Sequence, residues 1–179
     1  KYWPEWVDPH EPFDDWNVMT EIYPRLTWVK ENTKRGVNIL DIGCGFGNIA
    51  IPLALQGFKV TGLDISSYVL NIARKKVKEY GGNFKMIESD IFNYETNEKF
   101  DSVLAFYIIE HVWDVAKLLN IIRSFLRWDG NAFLIFPNSK HEAHIHQFTK
   151  RNVGKYLKGM NYKFIPDPKG ETIWVQLKA

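Results

Sequence analysis

The chain has 179 residues, 45% of them hydrophobic and 15% aromatic, an ordinary globular composition that can bury a core in one domain. A formal net charge of +2 gives no sign of a general polyanion binder, and the lone Cys44 excludes an intrachain disulfide framework and suits a reducing, cytoplasmic setting. No apolar run approaches the ~20 residues of a membrane helix and no signal-peptide pattern is present, so no membrane partner is expected. Residues 1–35 crowd aromatics (Trp3, Trp6, Phe13, Trp16, Tyr23, Trp28) among prolines, and a helix is predicted from Asp14, kinked or broken near Pro24. Its bland role is to cover a sheet edge, and its functional role is a lid over a ligand cleft. Strand-like runs then alternate with helical patterns: Ile39–Ile42, Lys59–Asp64, Phe84–Glu88, Asp101–Phe106 and Ala132–Phe136 are predicted strands. Between them, Pro52 suits the first turn of one helix and Ser66 the N-cap of another that ends at Gly81-Gly82. Asp114 is expected to cap a helix that ends at Trp128-Asp129-Gly130, and Thr149 a shorter one. Tyr162–Ile165 and Thr172–Leu177 flank Pro166-Asp167-Pro168-Lys169-Gly170 as a terminal hairpin. The alternation implies an α/β fold, a mostly parallel sheet with helices on both faces and an antiparallel edge.

The most informative run is Asn38-Ile39-Leu40-Asp41-Ile42-Gly43-Cys44-Gly45-Phe46-Gly47-Asn48. A buried strand meets a turn with almost no side chains, which lets a ligand touch backbone at the carboxyl end of the first strand. The dinucleotide fingerprint G-x-G-x-x-G needs glycine at 48 or 50, where this chain has Asn48 and Ala50. Asp41 precedes the glycines instead. An acidic group there is poor for a pyrophosphate and suits a ligand with a cationic end, such as the amino group of a methionine.

The D-x-G-x-G-x-G run resembles the first motif of class I S-adenosylmethionine (SAM)-dependent methyltransferases, and the likeness extends over roughly residues 36 to 179. It implies a Rossmann-like seven-stranded sheet forming a single domain over 1–179, with residues 1–35 as an aromatic-rich lid and 36–179 as the core. It implies SAM as cofactor, with S-adenosylhomocysteine as product, held at Asp41, Gly43, Cys44 and Gly45. Asp64, which ends the second strand, would accept the ribose hydroxyls and Ile65 would pack on the adenine. In Ser89-Asp90-Ile91 a carboxylate would accept from the adenine amino group. Phe106 and Tyr107 would line the methionine end. For the thiol of Cys44 the plainer reading is a small side chain tolerated in a tight turn.

SAM chemistry asks the protein to align an acceptor and exclude water, with a base where the acceptor carries a proton. Ile109-Glu110-His111-Val112 resembles the I-E-H-V segment of ubiquinone-biosynthesis-type and related small-molecule methyltransferases, so His111 is the first candidate base. Pro137 to Thr149 carries His141, His144 and His146 at the carboxyl side of the sheet, and His144 and His146 join the catalytic candidates. Its alternative role is a solvated loop. Glu110, His111 and members of His141, Glu142, His144 and His146 could also converge as N/O metal ligands. Small-RNA 3′-end methyltransferases use a similar E-x-x-E-H, but Tyr107 stands where they have the first glutamate, so no metal ligand is assigned. The expected activity is methyl transfer to an O or N atom of a small-molecule acceptor. The alternatives are an RNA or protein methyltransferase using Lys140, Lys150, Arg151, Lys155 and Lys158 as a basic rim, and a non-catalytic SAM-binding subunit. An NAD-linked oxidoreductase is disfavoured by the glycine spacing.

Overall fold

The computed structural model describes residues 16–34, 36–82 and 84–179. The expected lid residues Trp3, Trp6 and Phe13 lie outside them. Seven strands, β1 (Asn38–Ile42), β2 (Lys59–Asp64), β3 (Phe84–Glu88), β4 (Phe100–Phe106), β5 (Leu126–Pro137), β6 (Asn161–Ile165) and β7 (Thr172–Lys178), form one sheet in the order β3-β2-β1-β4-β5-β7-β6. The pairings among the first five are parallel, and β7 runs antiparallel to both of its neighbours. The expected α/β architecture with a terminal antiparallel hairpin is therefore the one observed.

Strand residues alternate between two cores with the period of two that a pleated strand imposes. Leu40, Val103, Ala105, Leu134 and Phe136 enter one core, and Ile39, Leu104, Phe106, Phe133 and Ile135 the other. The first is covered by α4 (Val115–Phe125) and α5 (Lys150–Tyr156), the second by α1 (Trp16–Glu31), α2 (Ala50–Leu55) and α3 (Ser67–Tyr80). In α4, Leu118, Leu119 and Ile122 are wholly buried at helical spacing, and each such side chain contributes roughly 1.5–3 kcal/mol. Among the described residues no helix is long and apolar enough to cross a membrane.

Three local outcomes depart from the sequence pattern or refine it. The helix α1 runs through Pro24 unbroken. Its Trp28 is core: it stacks on Trp174 at 4.9 Å between ring centroids and meets Phe133 edge-on at 5.0 Å. The helix capped by Asp114 ends at Phe125, not at Gly130, because Leu126 follows Phe125 into the core and pairs with Phe100 on β4. The register then shifts before Ser102 pairs with Asn131. Gly130 sits in that irregularity, where a Cβ would stand 3.1 Å from the carbonyls of Arg127 and Asp101. Gly62, inside β2, is equally constrained: a Cβ there would meet the Phe84 ring at 2.5 Å and Cys44 Sγ at 2.7 Å.

Candidate functional site

A cavity of about 560 Å³ opens at the carboxyl ends of β1 to β4, the place where parallel α/β sheets bind ligands. The turn after β1 forms its floor, with Gly43 and Gly45 at φ +70° and +51°. A Cβ at Gly45 would touch nothing within 4 Å, so this backbone faces open space. Leu63, Asp64 and Ile65 come from the end of β2, and Ser89, Asp90, Ile91 and Phe92 from the segment after β3. The opposite wall is Tyr107, Ile108, His111, Val112 and Trp113, with Asp114 and Lys117 at the start of α4.

Asp64 organises the floor. One carboxylate oxygen accepts from the Gly45 N–H and the other from the Ser66 N–H, both at 2.9 Å, joining the glycine turn to the start of α3. Each oxygen keeps a further lone pair. Asp90 is half used, with Oδ1 accepting from Phe92 N–H at 2.9 Å. Phe92 itself lies under the Lys117 ammonium, 5.1 Å from its ring centroid. Ile65 is 67% exposed and Trp113 83%, although both are large and apolar, which leaves two hydrophobic surfaces at the cleft without protein cover.

The remaining sequence candidates are spread more widely. Asp41 is buried and does not line the cleft; burial and the nearby Asp64 carboxylate push its carboxyl up to about 8. Cys44 contributes only backbone to the turn. Its side chain turns into the core beneath Gly62, where burial and the two aspartates drive its thiol far above the usual range. Phe106 also points into the core, 6.2 Å from Trp28, and lies outside the cleft lining. Tyr107 is the described non-glycine residue with positive φ, at +55°, and its hydroxyl accepts from the guanidinium of Arg25, which also sits 4.5 Å from its ring centroid.

Glu110 and His111 lie in a short 3₁₀ turn, Ile109–His111, onto which the histidine loop docks. Ile145 N–H donates to the Glu110 carbonyl at 2.9 Å, and His146 Nε2 sits 3.0 Å from the Val112 carbonyl. His146 therefore ties the loop down, and neither it nor His144 lines the cleft. His144 does reach His111, with ring centroids 5.5 Å apart. Glu110 is 1% exposed and burial pushes it up to about 7. His111 is lowered, chiefly by burial, with the His144 and His141 rings adding to the effect. Trp113, Phe92 and Lys117 were not anticipated from sequence. The available signal was a tryptophan directly before the helix-capping Asp114, past the end of a parallel strand.

A family model described as a methyltransferase domain matches residues 33–164, which takes in the glycine turn, Asp64, Asp90 and the 3₁₀ turn. The chain belongs to this family of methyltransferase domains. It is similar to the ubiquinone biosynthesis O-methyltransferases of Actinobacillus pleuropneumoniae serotype 7 (29% identical over 148 residues, 78% of this chain and 62% of the relative) and Rickettsia canadensis (33% over 139 residues, 73% and 58%). The chain thus spans about three fifths of the length of these curated relatives. Among solved structures, it resembles the magnesium protoporphyrin IX methyltransferase of Synechocystis PCC 6803 with bound SAM (TM-score 0.71, 20% identity, 89% of this chain and 78% of that one). It also resembles the 1,6-didemethyltoxoflavin-N1-methyltransferase of Burkholderia thailandensis with bound 1,6-didemethyltoxoflavin and S-adenosylhomocysteine (TM-score 0.75, 18% identity, 92% and 80%). At these identities the structural likeness speaks for the Rossmann-like methyltransferase fold.

Proposed function

We propose that the chain binds SAM in this cleft and transfers its methyl group to an O or N atom of a small-molecule acceptor. The observation that carries this reading is Asp64, whose carboxylate is fixed by the Gly45 and Ser66 N–H groups yet keeps a lone pair on each oxygen at the cleft floor. Two such lone pairs suit a vicinal diol, as in a ribose. The free oxygen of Asp90 suits an adenine amino group, and the uncovered Ile65 beside Ile91 suits an aromatic base face. The cleft volume, about 560 Å³, lies within the range of roughly 300–1,000 Å³ usual for small-molecule sites.

SAM supplies a methyl already activated on a sulfonium. The protein's part is to orient that cofactor through Gly43, Gly45, Asp64 and Asp90, to hold the acceptor against the wall of Tyr107, His111 and Trp113, and to keep water out. His111 is the imidazole in the cleft lining, with its Nδ1 3.1 Å from the Ala143 carbonyl, and is the side chain assigned here to accept a proton. The likeness to ubiquinone O-methyltransferases supports an acceptor of small-molecule size. The single, buried cysteine suits a reducing, cytoplasmic setting. The test is thermal melting with S-adenosylhomocysteine and with NAD, followed by transfer of labelled methyl from SAM to a panel of phenols, catechols and amines. Stabilisation by S-adenosylhomocysteine alone, with label in an acceptor, is expected; stabilisation by NAD instead would reject the reading.

A further inference from the structure

The histidine loop runs alongside the 3₁₀ turn, and three hydrogen bonds hold it there. Ile145 N–H donates to the Glu110 carbonyl at 2.9 Å, His146 Nε2 lies 3.0 Å from the Val112 carbonyl, and His111 Nδ1 lies 3.1 Å from the Ala143 carbonyl. A carbonyl only accepts, so both of these imidazole nitrogens carry a proton. The neutral His111 ring is therefore the Nδ1–H tautomer, with its lone pair at Nε2. The bonds at Glu110 and Val112 flank the one at His111 and fix where the Ala143 carbonyl meets the ring.

The neighbouring carboxyl does not orient the ring. Glu110 Oε1 stands 3.8 Å from His111 Nε2, beyond hydrogen-bond distance, and the side chain is buried. The loop is braced from within by its other histidines: His141 Nδ1 accepts from the Ala143 N–H at 3.2 Å, and His144 Nδ1 lies 3.3 Å from the Ser139 carbonyl. The core grips the far end of the loop through Phe148, wholly buried against Phe136 at 5.0 Å between ring centroids. His146, two residues earlier, sets the register between that anchor and the Ala143 carbonyl, together with the Ile145 N–H.

We propose that His146 is a positioning residue for the His111 base: its bond to Val112 holds the Ala143 carbonyl in line with Nδ1, and that carbonyl fixes the ring's tautomer and direction. The inference rests on the base role assigned to His111 above and adds the part that the loop plays in it. A base needs its lone pair on the nitrogen that meets the acceptor, and the hydrogen bond at the other nitrogen decides which one that is. A proton accepted at Nε2 leaves the Nδ1 bond to Ala143 intact. The groups around the ring are Glu110 on its own turn and His144 and His141 on the loop, with Asp114 and Lys117 of α4 in the same cleft lining. Burial lowers His111 from the ordinary 6.5, the Ala143 bond partly offsets this, and the His144 and His141 rings lower it further. Loosening the loop relieves burial and the ring contacts, so the value moves up toward 6.5.

The experiment records two-bond proton–nitrogen NMR spectra of the 179-residue chain with ¹⁵N-labelled histidine, without SAM, across the imidazole titration. The His111 signals are those missing from His111→Ala. The wild type is expected to show the Nδ1–H tautomer, titrating below 6.5. In His146→Ala the ring should populate both tautomers and titrate closer to 6.5. His146→Gln, whose side-chain amide can still donate to Val112, should restore the single tautomer. His146→Phe keeps a ring beside Phe148 without the donor, and carries the test if His146→Ala does not fold. Affinity for S-adenosylhomocysteine, titrated on the same proteins, should stay within about twofold, because His146 lies outside the cleft lining. An Nε2–H tautomer in the wild type, a His111 signal unchanged in both His146→Ala and His146→Phe, or loss of S-adenosylhomocysteine affinity along with the tautomer would overturn the proposal. A wild type that binds no S-adenosylhomocysteine yet gives the expected tautomers would support the positioning and reject the cofactor reading alone.

Discussion

Asp41 holds its proton at neutral pH because burial and the Asp64 carboxylate raise it to about 8. A carboxyl raised in the fold favours the protonated native state. Its contribution to stability is present below the unfolded value of 3.8 and is lost as pH rises through about 8. Thermal melts of the wild type should therefore decline between those limits, and Asp41→Asn, which cannot ionise, should flatten the decline. A ligand with a cationic group near Asp41 and Asp64 would drive the proton off. Calorimetry of SAM binding in buffers of different ionisation heat should register proton release near pH 7 in the wild type and less in Asp41→Asn. Asp64 acts through position instead. On the proposed ribose role, Asp64→Ala should delete two hydrogen bonds to a bound diol at about 1.5–3 kcal/mol each, or roughly 10²–10⁴ in S-adenosylhomocysteine affinity. Equal affinity for the variant, measured by titration, would remove the ribose role from Asp64.

At the scale of elements, periodicity made most of the fold readable. Short apolar runs marked the strands, and the caps Ser66, Asp114 and Thr149 fell where helices begin, Thr149 within a capping box with Asn152. The far end of α4 was harder to read, because Leu126 and Trp128 continue a helical apolar pattern. Only the approach of β4 shows that Leu126 belongs to a strand and Gly130 to a crowded bulge. Gly62 is the same lesson inside a strand. It passes for a weak strand residue, yet Phe84 and Cys44 occupy the space a side chain would need. The variant Gly62→Ala overpacks that junction between β2, β3 and the glycine turn. It should cost about 1–3 kcal/mol, a fall of roughly 2–4 °C in melting temperature for each kcal/mol. An unchanged melting curve would mean that β3 shifts freely at Phe84.

For the molecule as a whole, the cleft couples to folding because its floor, walls and sheet ends are shared elements. S-adenosylhomocysteine at about a hundred times its dissociation constant should add about 2.7 kcal/mol to stability, and melting temperature should climb with ligand concentration. The half of the cleft proposed for the cofactor, with Gly43, Gly45, Asp64 and Asp90 in its lining, was legible as a place because backbone turns and strand-end carboxylates follow local sequence. The wall proposed for the acceptor was less so. The contacts of Arg25 with Tyr107 and of His144 with His111 join residues remote in the chain, and no local pattern announces them. The buried thiol under Gly62 gives the molecule a built-in clock. Cys44 is the sole cysteine in the sequence, and it sits between the ligand-facing turn and the core. A thiol reagent can reach it only when that turn lifts, so one labelling rate counts openings of the cofactor cradle with no background from other cysteines. A bound cofactor should slow that clock in proportion to its occupancy, while an acceptor on the far wall should leave it running.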